Sequence, residues 1–471
     1  MEQLLHYTWK HKLFPLTSLL TTTGKRVEVI DPGLSNRNAG PDFFNAKVKI
    51  DGTLWVGNVE IHQRSSDWYS HGHEKDAHYN NVVLHVVGSA DTDVYTQDGK
   101  QLPQLLLSVP TQVEQHYREL LATDQYPPCY RIIPSLSKLT VHAWMSALQT
   151  ERLERKTQDI NQRVKLCDGS WEAAYFVTLA RNYGFGINGE AFETWAKSIP
   201  LHAVDHHRDD LFQIEAIFLG QAGLLDVNTI PEKYQQEAMN EGYFAKLRNE
   251  YQYLAHKFSL TPIDTHLWRF LRLRPQNFPH IRIVQLANLY YQRKAGLSAL
   301  LTCKTIKEAQ ELLKTQVTPY WETHYLFGSS PSTLNPQPSP SLHREGRGGS
   351  PPSTLNPQPS TSPSTFNHQP STLKSLSPFS LNLLMINTVV PMLFAYGRYK
   401  GDERLCDRAF DFLEQLKAEN NHIVRMWQQC GLAVTNAGDS QALIQLKNEY
   451  CDKKDCLRCR IGYEYMRGPS L

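Results

Sequence analysis

Apolar and polar positions alternate along roughly the first hundred residues, and further on the spacing becomes helical. Arg26–Ile30, Phe44–Ile50 and Leu54–Ile61 alternate with a period of two, as half-buried strands do. Asp51-Gly52, between the last two, is a hairpin signal. Val82–Val87 is almost all apolar and β-branched, which predicts a buried strand. Glu2–Phe14 reads as a helix, Asp67–Asn80 as a polar helix, and Val94–Leu107 as a further hairpin about Asp98-Gly99. The expected order is helix, three strands, helix, strand. From about Val113, apolar residues recur three and four apart. Leu139–Ile160, Trp171–Tyr183, Leu211–Leu225, Tyr243–Phe258, Ile281–Arg293, Leu383–Tyr399, Arg404–Lys417 and Ser440–Tyr450 all suit helices. The class expected is α+β: an α/β domain over residues 1–110, a helical domain over 111–328, and a helical continuation over 379–471.

Residues 329–378 break the pattern. STLNPQPS occurs at Ser332–Ser339 and again at Ser353–Ser360, STFNHQPS follows at Ser364–Ser371, and 11 of the 27 prolines fall in this window. Such a segment buries too little apolar surface to offset its ordering entropy and is expected to be a disordered insert.

Composition narrows the function classes. The 471 residues carry 49 Lys+Arg against 47 Asp+Glu, a net charge of +2, so a nucleic-acid site has to be a local patch. Eight cysteines do not make a disulfide scaffold. The start, MEQLLHYTWKHK, has no apolar core of a secretory signal. Leu381–Gly397, the most apolar run, spans 17 residues with Asn382, Asn387 and Pro391 inside it, which reads as too short and polar to cross a membrane. The expectation is a soluble, cytoplasmic protein without a membrane partner.

Four groups of residues carry candidate chemistry. Asp42 enters one expected strand and Glu60 lies near the end of the next. Paired about Asp51-Gly52 they fall nearly opposite, where two carboxylates can hold Mg²⁺ or Mn²⁺ for phosphodiester hydrolysis. His62 follows two residues on, placed to orient water. The run Ser65–Asn80 crowds His71, His73, Asp76 and His78, ligand types for Zn²⁺ or Mn²⁺. Cys451, Cys456 and Cys459 lie within nine residues, which in a reducing compartment reads as Zn²⁺ or iron–sulfur ligation, with Cys129 or Cys430 as fourth ligand. Finally, Thr265–Lys307 contains no Asp or Glu but eight Lys or Arg, among them Arg269, Arg272, Arg274 and Arg282, interleaved with aromatic residues: a footprint for nucleic acid, DNA foremost.

Pro41-Asp42, Glu60 and the element order resemble the PD-(D/E)XK nuclease superfamily. The resemblance implies a restriction-endonuclease-like core, a metal on Asp42 and Glu60, and a role in DNA repair or processing. His62 stands where that family usually has Lys; Lys47 or Lys49 would substitute. Some of these nucleases also pin their domain with a four-cysteine cluster, although there the lone Cys usually precedes the core. The chain further resembles an uncharacterised bacterial family known as domain of unknown function 2851. That likeness rests on Asn38–Ala46, Gly57–His62, Ser65–Tyr69 with His71-Gly72-His73, Tyr79–Val82, Gly220–Gly223, Arg274–Pro279 and the terminal Cys-Leu-x-Cys segment. Two other functions are open: a non-catalytic nucleic-acid-binding scaffold on a degenerate nuclease core, and a Zn²⁺ or Mn²⁺ hydrolase using His62, His71, His73 and Asp76.

Overall fold

The computed structural model describes residues 2–15, 19–36, 38–292, 296–329 and 374–468. Most of the insert expected at 329–378, with Arg293 and Lys294 of the basic block, lies outside the described residues. The fold is mixed α+β. It divides into two compact units, one formed by residues 1–149, 420–434 and 439–471, the other by 150–419 and 435–438.

The first unit holds a seven-stranded sheet: β1 (Leu19–Leu20), β2 (Arg26–Asp31), β3 (Leu34–Ser35), β4 (Phe43–Ile50), β5 (Thr53–Arg64), β6 (Val82–Ser89) and β7 (Gln104–Leu106). The order is β1-β2-β4-β5-β6-β7, with β3 paired to β4. β2, β4 and β5 are antiparallel, whereas β6 and β7 run parallel to β5. The β4–β5 turn is Asp51-Gly52, both at positive φ (47° and 83°), the geometry a two-residue hairpin requires.

Helix α1 (Glu2–Lys10) covers one face, where Leu5 and Trp9 bury Val59 and Ile61 of β5 and Leu84 and Val86 of β6. Glu60, His62 and His85 alternate with these residues and so point to the opposite face. That face carries α2 (Asp67–Ser70) and two short 3₁₀ turns, anchored by the fully buried Trp68. The polar run 67–80 is therefore broken into short pieces. Its many hydrogen-bonding side chains close local turns instead, Asp76 accepting from the His78 backbone N–H at 2.9 Å.

Helix α3 (Thr111–Ala122) and the first part of α4 (Lys138–Leu166) complete this unit with the C-terminal segment. Leu4, Tyr7, Val113, Leu120 and Leu148 share one core cluster with Trp427, Leu443, Ile461 and Met466.

The second unit is helical; among the described residues no strand follows β7. Its helix Pro378–Lys400 is 23 residues long, more than the 17 expected, and passes the length and apolarity test for a membrane span, but 67% of its apolar window is buried inside the structure. A π-helical turn at Met385–Val389 lies just ahead of Pro391, which cannot donate to the regular ladder.

Candidate metal centre

Asp42 reaches Glu60 through a bulge. Phe43 pairs with Val59, but Ala46 pairs with Gly57, so β4 carries one extra residue in between. Asn45 takes up the insertion at φ 54°. Extending the Phe43–Val59 pairing by one step sets Asp42 opposite Glu60; unbulged registry would have set it opposite Ile61. The Asp42 backbone N–H donates to Glu60 Oε2 at 3.0 Å, and the Ile61 N–H donates to Asp42 Oδ2 at 3.0 Å. Asn36 shapes the approach: its Nδ2 lies 3.0–3.3 Å from the carbonyl oxygens of Asn38, Ala39, Gly40 and Pro41.

Around Glu60 the imidazoles converge. His73 Nε2 stands 3.3 Å and His62 Nε2 3.6 Å from Glu60 Oε1. His62 Nε2 is 3.1 Å from His71 Nδ1, while His62 Nδ1 is 2.9 Å from His85 Nε2. Each of His62, His71 and His73 offers one ligand atom within 4.8 Å of the other two, the one such trio found among the described residues. Gly72, at φ 74°, turns the chain between His71 and His73. His73 is buried, stacks on Tyr79 at 3.9 Å between ring centroids, and leaves its Nε2 without a hydrogen bond.

Burial and neighbouring imidazoles, His85 first among them, hold His62 down at about 2, and burial holds His85 at about 3, so both rings are neutral at physiological pH. Burial, then the Glu60 charge, pushes Asp42 up to about 7.

Other candidates lie apart from this cluster. Asp76 is half-buried and pairs with His78 (2.7 Å), and it is not part of the trio with His71 and His73. Lys49 pairs with Glu28 at 3.6 Å, and Lys47 is exposed on β4. The sequence reading gave no role to His6, whose Nε2 is 3.5 Å from Asp42 Oδ2, or to His85. His85 had a signal: it is the lone ring-nitrogen residue in an otherwise apolar strand, and such a residue needs a partner when buried. Nothing in the spacing ties His6 to Asp42.

Cys129, Cys451, Cys456 and Cys459 gather in the core cluster beside α3. Burial raises all four thiols, and Cys459, Cys451 and Cys456, beside Cys129, push its thiol up further. Cys430 is raised by burial alone.

In the second unit, Arg269, Arg272 and Arg274 are exposed on one loop, whereas Arg282 is 4% exposed.

The family model described as "Protein of unknown function (DUF2851)" matches residues 2–343 and 364–422. The chain belongs to that family. Asp42, Glu60 and the converging histidines all lie within the matched residues, as do the arginines, while Cys451, Cys456 and Cys459 lie beyond them. No curated protein and no solved structure matches the chain.

Proposed function

We propose that this DUF2851 protein is a metal-dependent phosphodiesterase acting on nucleic acid, with Glu60, His62, His71 and His73 as metal ligands and Asp42 beside them. The observation that carries this reading is the trio His62, His71 and His73, each offering a ligand atom within 4.8 Å of the others, with two of the rings against the Glu60 carboxylate. Two donors bonded to one ion at about 2.0–2.2 Å stand about 2.9–3.6 Å apart at angles near 90–110°. The separations of 3.1, 3.3 and 3.6 Å fall in that range. Three nitrogens and one oxygen suit Zn²⁺ or Mn²⁺ better than Mg²⁺, which favours oxygen.

If His62 Nδ1–H donates to His85 Nε2, the His62 Nε2 lone pair is left for the metal and the ring is fixed in place. A bound ion lowers the pKa of a water and offsets charge on a phosphoryl oxygen. Asp42, whose carboxyl burial and the Glu60 charge raise in the metal-free protein, lies beside these residues and would serve as a proton acceptor there. Kinship with PD-(D/E)XK nucleases draws support from the antiparallel β2-β4-β5 ladder, the parallel β6 and the Pro41-Asp42/Glu60 pair; the departure is that His62 serves as a ligand where those enzymes use Lys. Nucleic acid as substrate, DNA foremost, rests on the exposed arginines of an acid-free stretch. The four thiols, in the same reading, hold a structural Zn²⁺ or iron–sulfur cluster.

The test is cleavage of single-stranded, duplex, branched and RNA substrates with Zn²⁺, Mn²⁺ or Mg²⁺, comparing wild type with Glu60→Gln and His73→Ala. Expected is Mn²⁺- or Zn²⁺-dependent cleavage that both variants lose. Cleavage unchanged in both would refute the assignment; metal bound at these residues without cleavage of any substrate would leave a binding scaffold.

A further inference from the structure

Arg282 presents a problem of charge. Its guanidinium is 4% exposed, yet its hydrogen-bond partners are neutral amides: Nη1 donates to Gln285 Oε1 at 2.9 Å and Nη2 to Asn277 Oδ1 at 2.6 Å. Its Nε has no partner. The guanidinium lies 4.6 Å over the Phe185 ring. Among the described residues no carboxylate pairs with it, and the buried hydroxyl of neighbouring Tyr183 also lacks a partner. A buried cation without a counter-charge is costly, and an unpaired buried donor adds to that cost.

Arg282 and Tyr183 both contribute to the wall of one pocket of about 420 Å³, with Arg272, Arg274, Asn277 and Phe379. Phe379 is 63% exposed, an apolar ring left in water. The loop bearing the arginines is clamped: Asn188 Oδ1 accepts from the Arg269 N–H and its Nδ2 donates to the Arg269 carbonyl, both at 2.9 Å. A second pocket of about 290 Å³ shares Arg282 and adds Lys374. Three arginines on the wall of a clamped pocket match the oxygens of a phosphate, because guanidinium binds phosphate through paired, charge-assisted hydrogen bonds. The exposed ring beside them offers a face to a base.

We infer that this pocket binds the phosphate of a nucleotide, with Arg282 as the buried anchor, Arg272 and Arg274 at the mouth, and Phe379 against the base. Both a free mononucleotide and the phosphorylated end of a strand carry this chemistry. The site is independent of the metal centre, so binding is measured in EDTA.

Calorimetric titration with AMP, adenosine, inorganic phosphate, and oligonucleotides bearing a 5′-phosphate or a 5′-hydroxyl separates the sources. Expected is binding of AMP or of the 5′-phosphorylated strand, about ten- to a hundredfold weaker in Arg282→Met and in the double variant Arg272→Ala/Arg274→Ala. AMP alone identifies the free nucleotide as ligand; the 5′-phosphate strand alone identifies a strand end. Phe379→Ala weakens both but leaves inorganic phosphate unaffected. Arg282→Met is also expected to melt no lower than wild type without ligand, since it removes an uncompensated charge. Should it fail to fold, the double variant decides. The inference is overturned if no phosphate-bearing probe binds, if adenosine or the 5′-hydroxyl strand binds equally well, or if the double variant binds as wild type does.

Discussion

Asp42 and the histidines near it titrate in opposite senses. The Asp42 carboxyl moves from 3.8 up to about 7 on folding, so its favourable contribution is complete below 3.8 and is lost as pH rises through 7. His62 and His85 move from 6.5 down to about 2 and 3, and burial also lowers His6 and His11. Their contribution is complete above 6.5 and is lost as pH falls below it. Burial also raises Glu215 to about 7 and lowers His280 to about 3; with five imidazoles set against two carboxyls, the metal-free protein is expected to lose melting temperature between pH 7 and pH 5, and His62→Gln to flatten that slope. A profile rising towards pH 5 would contradict this balance. Glu60→Gln keeps the size of the side chain and removes its charge. It is expected to weaken Zn²⁺ or Mn²⁺ binding by on the order of ten- to a hundredfold, read by metal analysis of the dialysed protein.

At the level of elements, the bulge in β4 decides whether the two carboxyls meet. Asn45→Val forces a β-branched residue into left-handed backbone, which costs about 1–3 kcal/mol. It should lower both the melting temperature and metal affinity, whereas Asn45→Gly should preserve the site. The strands themselves were legible, because period-two alternation and Asp51-Gly52 set the β4–β5 hairpin, and Trp171–Tyr183 and Tyr243–Phe258 fold with the predicted bounds. The bulge was not legible, since Asn45 is one polar residue among several. Nor was the broken helix at 67–80, where local side-chain hydrogen bonds outcompete helical spacing. Of the candidate centre, Asp42, Glu60 and His62 were read as one group and His71, His73 and Asp76 as another, linked through His62 in the hydrolase alternative; the parallel β6 and the turn at Gly72 bring His71 and His73, without Asp76, to His62. The family-like stretch Gly220–Gly223 has a packing explanation instead. A Cβ on Gly220 would lie 2.1 Å from the Tyr251 ring, and the Gln221 side chain donates to the Ser198 carbonyl at 2.6 Å and accepts from the Tyr251 hydroxyl at 2.8 Å. Gly220→Ala is expected to destabilise the helical unit by about 1–3 kcal/mol in a denaturant titration, with metal binding unchanged.

Taken as a whole, the molecule closes its first unit with its last residues. Ile461 and Met466 are buried in the same cluster as Leu4, Val113 and Leu120. Ending the chain at Gly438 would strip that cluster of Leu443, Leu446, Ile461 and Met466. Such a truncation should lose the cooperative melting of the sheet unit, while the helical unit keeps its own transition in calorimetry. Two transitions of unchanged midpoint would argue against this division of the chain.

The same arrangement sets a schedule for biosynthesis. Residues 1–149 leave the ribosome long before the segment that completes their unit, which ends near residue 468. At roughly 5–20 residues per second, the interval is about 15–65 s. During that time the cysteine at 129 and the histidine-lined strands are nascent chain without their closing helices, open to chaperones and to metal ions before the last thiols have been synthesised.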